Sequence, residues 1–322
     1  MLSRRDLLVR AGAVGIGALI QGGDLAFAKA AQPSERVNFQ VPAGACDVHT
    51  HIFGDAQRFP FKVPRGYTPE PASVEEMRAV HRVLHTDRVV LVQPSVYGSD
   101  NSCMIDAIKQ LGRNARGIGV IDDGAPDSLL HEMNRAGIRG IRANFDDSGQ
   151  LEPSVCRPIF QAKVERIKRQ RNWHLQLHTR LSVIEGIKDL VIASPVPIVI
   201  DHFCEAKAPL GVGQPGFDTL LDLVRTGKVY VKVSAPYHGS TKPPDYPDAA
   251  PLAQALIAAN PQRILWGSDW PHPANVQPKY TDISPLRQID DAHLFNQFAM
   301  WAPDAAVRKT ILVENPARLF GF

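Results

Sequence analysis

A single (β/α)₈ TIM barrel is the fold class predicted by this 322-residue sequence. Three observations predict it. Eight short β-branched runs alternate with longer amphipathic stretches, the rhythm of βα units wound around a parallel sheet. The cores of those runs, such as Val89-Val90-Leu91-Val92 and Ile198-Val199-Ile200, are almost wholly apolar, as strands covered on both faces must be. Polar residues gather where the runs end, which is where this architecture builds an active site.

The runs place strands over Cys46–Phe53, Arg88–Ser95, Ala115–Ile121, Ile138–Asn144, His174–Thr179, Ile198–Phe203, Val229–Ala235 and Ile264–Asp269. Helical periodicity falls between them, at Val74–His85, Asn101–Leu111, Pro126–Ala136, Pro158–Arg171, Phe217–Arg225 and Ala249–Ala259. Ser73, with Glu76 three residues on, reads as a capping box, and Pro126 and Pro251 sit where helix starts are expected. A doubly wound sheet would need a glycine-rich phosphate turn after the first strand, and that strand ends in histidines instead.

Composition limits the function. Hydrophobic residues make up 44% and charged residues 21%, with a formal net charge of +3, an ordinary globular balance. So weak a charge gives no basis for nucleic-acid binding. No run of about 18 apolar residues occurs, so no membrane span is expected. The four cysteines, Cys46, Cys103, Cys156 and Cys204, lie far apart without a C-x-x-C pair and are expected to be buried thiols. Residues 1–28 read as a cleavable leader: Arg4-Arg5, a Gly- and Ala-rich apolar stretch, then Ala26-Phe27-Ala28. Ser3-Arg4-Arg5-Asp6-Leu7-Leu8 resembles a twin-arginine signal, which implies the twin-arginine export machinery as a partner and the bacterial periplasm as destination. Residues 29–322 are then the barrel domain.

The strand ends carry the chemistry. In Asp47-Val48-His49-Thr50-His51 the two imidazoles are two residues apart on a strand, so both face the barrel lumen. Two neutral imidazoles on one face can take a divalent metal, and His178 and Asp269, from the fifth and eighth strands, complete a set of three nitrogens and one oxygen. His202, ending the sixth strand, should sit beside them, and Asp201 should point the other way. Of the remaining histidines, His272 lies near the site, whereas His81, His85, His131, His174, His238 and His293 fall outside it.

This pattern, with Arg58-Phe59-Pro60-Phe61, Tyr67-Thr68-Pro69, Gly137-Ile138-Arg139-Gly140-Ile141-Arg142 and Trp266-Gly267-Ser268-Asp269-Trp270-Pro271-His272, resembles the amidohydrolase superfamily. The resemblance is to its amidohydrolase 2 branch of 2-pyrone-4,6-dicarboxylate hydrolases and related lactonases. It implies a hydrolase that opens the lactone ring of a small carboxylated substrate. Asp269 would be the general base that also returns the proton to the leaving oxygen. His202 would donate a hydrogen bond to the carbonyl oxygen, Arg142 would anchor a carboxylate, and Tyr67 and Ser95 would line the pocket. His49, His51, His178 and Asp269 would hold one divalent ion, Zn or Mn. Without metal, the histidines would serve as an oxyanion hole. The alternatives on this scaffold are a decarboxylase and a lactone isomerase. Two departures stand out. The fourth strand has no lysine to bridge two metals, so no binuclear centre is expected. Asp146 and Asp147 stand where a second arginine would help, which argues against a dicarboxylate.

Overall fold

The computed structural model describes residues 30–146, 149, 151–274, 277 and 279–322. The leader expected at residues 1–28 and Asp147 lie outside the described residues. Eight parallel strands follow one another in sheet order. They are β1 (Cys46–Thr50), β2 (Arg88–Val92), β3 (Ala115–Gly119), β4 (Ile138–Asn144), β5 (His174–His178), β6 (Ile198–Ile200), β7 (Val229–Lys232) and β8 (Ile264–Leu265). Each of the eight predicted runs contains one of them, usually shorter at the C-terminal end because the chain turns there to present side chains.

Beyond β8 the backbone still pairs with β1. Val48 donates to the Trp266 carbonyl, Asp269 to that of His49 and His51 to that of Trp270, at 3.1, 2.8 and 2.8 Å. These bonds close the sheet into a barrel. Gly267 lies at this seam, where a Cβ would sit 2.7 Å from His49 Cβ and 2.8 Å from its backbone nitrogen, so only glycine allows the approach.

Helices pack outside. They include α1 (Val74–Leu84), α2 (Ser102–Leu111), α3 (Asp127–Arg135), α4 (Pro153–Ile167), α5 (Leu181–Ala193), α6 (Phe217–Arg225), α7 (Ala250–Ala259) and α8 (Asp291–Trp301). The predicted capping box is present: Ser73 Oγ accepts from the Glu76 amide, and Glu76 Oε2 accepts from the Ser73 amide. α4 starts at Pro153 rather than Pro158, because the first turn tolerates the missing amide. The core is a continuous apolar shell between strands and helices, including Met77, Leu84, Phe160, Phe217, Phe295 and Phe298. The four cysteines are buried thiols. Among the described residues, no helix is long and apolar enough to cross a membrane.

Candidate active site

β1 and the residue that follows it bring His49 and His51 to the lumen, their rings edge-on with centroids 5.1 Å apart. Asp47, on the same strand, fixes the local backbone. Its Oδ1 accepts from the amides of His49 and Ser268, and its Oδ2 lies 3.2 Å from His81 Nε2. His81 on α1 therefore has a buried partner, while it stays outside the cavity lining.

Three imidazoles converge on one oxygen. The Nε2 atoms of His49, His51 and His202 lie 3.5, 3.5 and 3.7 Å from Asp269 Oδ1. Each ring is held through its other nitrogen. His51 Nδ1 donates to the Val92 carbonyl at 2.8 Å, His202 Nδ1 is 2.9 Å from Ser234 Oγ, and His49 Nδ1 is 3.4 Å from Asp201 Oδ1. A neutral His51 has spent its one N–H on that carbonyl, so its Nε2 would present a lone pair to the Asp269 oxygen, also an acceptor. His49 Nε2 is buried and has no hydrogen-bond partner among the described residues. Acceptors facing acceptors in a buried pocket fit a cation between them better than an oxyanion hole, which needs N–H donors.

The electrostatics agree. Burial, reinforced by Lys232, lowers His49 to about 3, and burial likewise holds His202 well below the ordinary histidine range. Both rings therefore favour the neutral form. Burial alone would raise Asp269, but positive charge shared among His202, His51 and His49 holds it well below the usual carboxylate range. Its second oxygen, Oδ2, accepts from Tyr237 Oη at 2.5 Å. His272 Nδ1 lies 3.1 Å from the same hydroxyl, and its Nε2 lies 3.2 Å from the buried Asp291 on α8.

Beneath the histidines lies a fully buried charge network. Asp201 accepts from Arg142 Nε at 3.1 Å and Gln176 Nε2 at 3.0 Å, and lies 3.2 Å from Lys232 Nζ. The expectation that Asp201 points away from His202 is corrected here. β6 stops at Ile200, and His202 to Glu205 all take positive φ, so strand alternation no longer applies. Burial would raise Asp201, but Lys232, His49 and Arg142 keep it ionised far below the usual range.

Above the histidines opens a cavity of about 510 Å³ lined by Tyr67, Ser95, Arg142, His178 and Asp269, as expected, and by His238. Lys62 and Arg287 also line it, and neither has a carboxylate partner among the described residues. Sequence reasoning missed both. Asp146 instead pairs with Arg180, so it does not remove positive charge from the cavity.

Two further expectations need correction. The four-residue ligand set divides: His49, His51 and Asp269 stay together, but His178 Nε2 faces Glu205 Oε1 at 3.1 Å. His238 was placed outside the site, yet its Nδ1 is 2.8 Å from the same Glu205 oxygen and its Nε2 is 3.9 Å from Asp269 Oδ2. The physical reason is the left-handed run after β6, which carries a buried carboxylate into the mouth and draws both rings to it. The segment after β7 reaches the site through Tyr237 and His238.

The family profile described as amidohydrolase matches residues 46–322. The chain is 36% identical over 291 residues to 4-sulfomuconolactone hydrolase of Rhizobium radiobacter, covering 89% of this chain and 93% of that one. It is 33% identical over 299 residues to 2-pyrone-4,6-dicarboxylate hydrolase of Comamonas testosteroni, covering 90% and 94%. Among solved structures, a probable 2-pyrone-4,6-dicarboxylic acid hydrolase from Acinetobacter baumannii with citric acid bound superposes with a TM-score of 0.72 at 26% identity. That match covers 87% of this chain and 100% of that chain.

Proposed function

The chain belongs to the amidohydrolase family and is a hydrolase, and on that premise we propose that it opens the lactone ring of a small substrate bearing an anionic group. The observation that carries the reading is one ionised carboxylate, Asp269, ringed by three buried imidazoles at the floor of a cavity whose other charged lining residues are Lys62, Arg142, Lys163 and Arg287. That cavity suits an anion held over a base.

Asp269 Oδ1 takes the proton from the attacking water, a role worth ~10²–10⁴ in rate. His202, next to that oxygen but anchored through Ser234, donates from Nε2 to the substrate carbonyl oxygen as charge develops there. Arg142 and Arg287 attract the anionic end, while Tyr67 and Ser95 line the wall. His49, His51 and Asp269 would hold a divalent ion of the Zn or Mn class. When bound, such an ion polarises the carbonyl and lowers the pKa of water. The citric acid in the Acinetobacter structure, an anionic guest of a similar barrel, supports the choice of substrate class. Residues 1–28 are proposed to direct export through the twin-arginine route to the periplasm.

A panel of anionic lactones followed by pH-stat acid release and by ¹⁸O-water incorporation tests the reading. Acid release with one labelled oxygen in the product is the expected result. Ring migration without label would establish an isomerase, and carbon dioxide release a decarboxylase.

A further inference from the structure

We propose that His178, Glu205 and His238 form a second divalent-cation site at the barrel mouth, separate from the inner group around Asp269. Three different segments bring these residues together: the end of β5, the turn after β6 and the loop after β7. Glu205 Oε1 lies 3.1 Å from His178 Nε2 and 2.8 Å from His238 Nδ1. The three donor atoms all lie within 4.8 Å of one another. Ligands of a tetrahedral ion at ~2.0–2.2 Å from the metal stand roughly 3.3 Å apart; the two Glu205 distances are already close to this, and the imidazole pair lies within 4.8 Å.

The donor set has a chemical preference. Two imidazoles with one carboxylate match zinc, and they disfavour magnesium and calcium, which take oxygen ligands. Three protein ligands leave coordination positions open, and His178 and His238 both face the cavity, as a catalytic rather than a structural ion requires. The inner group draws on other residues, His49, His202 and Asp269 with His51 beside them, so no residue is shared. Asp269 joins the two, because Oδ1 faces the inner imidazoles and Oδ2 lies 3.9 Å from His238 Nε2.

The backbone supports a built site. His202, Phe203, Cys204 and Glu205 have φ of 45°, 53°, 59° and 54°. Four consecutive non-glycine residues in the left-handed region are costly and persist where the surrounding structure imposes them, commonly at functional sites. The result of this strain is the delivery of Glu205 between two imidazoles. A bridging lysine on β4 is not needed, since each ion would have its own ligands.

The test needs no substrate, so its outcome is independent of the lactonase reading. The purified full chain is stripped with chelator and titrated with Zn²⁺ by calorimetry, with bound metal counted after gel filtration. Two equivalents are expected in the wild type. Glu205→Gln and, as a second variant, His238→Asn should bind one, and His51→Ala should also retain one. Circular dichroism of each variant checks the fold. Fewer than two equivalents in the wild type, or two in both Glu205→Gln and His238→Asn, would overturn the proposal.

Discussion

Tyr237 Oη donates to Asp269 Oδ2 at 2.5 Å, so one oxygen of the carboxylate is committed and the other is presented to three imidazoles. His272 and Asp291 continue the chain behind the phenol and hold it from the protein side.

Tyr237→Phe should therefore loosen Asp269 without removing it. Partners of this kind typically contribute 10–100-fold, so kcat should fall by about that factor while KM stays nearly constant. Steady-state kinetics on the best lactone of the panel check the split. An effect on KM alone would place Tyr237 among substrate contacts instead.

Arg142 has two tasks, since its Nε supports buried Asp201 and its side chain lines the cavity. Arg142→Met should raise KM for anionic substrates and also destabilise the fold. Leaving a buried charge short of a partner costs about 3 kcal/mol, read by urea denaturation. Unchanged stability would mean that Lys232 and Gln176 satisfy Asp201 by themselves.

His174, at the start of β5, is lowered to about 3 by burial and then by Lys232. Between that value and 6.5, the unfolded chain holds a proton that the folded chain does not. The contribution is fully present above pH 6.5 and is lost as pH falls towards 3. His174→Leu should flatten the acid limb of the stability profile by up to about 1.4 kcal/mol per pH unit. An unaltered slope would show that His174 is protonated in the fold.

Gly267→Ala would drive a methyl group into His49 at the barrel seam. Overpacking of this kind costs about 1–3 kcal/mol, and here it also displaces a candidate ligand. Both melting temperature and zinc content should drop. A variant with wild-type metal content would show that the seam yields without moving His49.

Much of this arrangement was legible in the residues. Apolar runs located all eight strands, because a strand buried on both faces leaves no other pattern. The two-residue spacing of His49 and His51 fixed their common face. Reading failed where the chain leaves the strands. Alternation sent Asp201 away from His202, but the left-handed turn after Ile200 abolishes alternation. Glu205 and His238 went unseen because their meeting depends on loop conformation, for which spacing carries no signal. The same turn explains why His178 faces Glu205 rather than the inner group. Lys62 and Arg287 were missed for a related reason, as neither belongs to a strand end.

The central claim is that Asp269 acts as the base of a ring-opening hydrolase, and Asp269→Asn tests it most directly. The amide keeps the shape and can still meet Tyr237, yet it cannot take a proton from water. Lactone hydrolysis should fall by ~10²–10⁴ with circular dichroism unchanged. Activity within about tenfold of wild type would contradict the account.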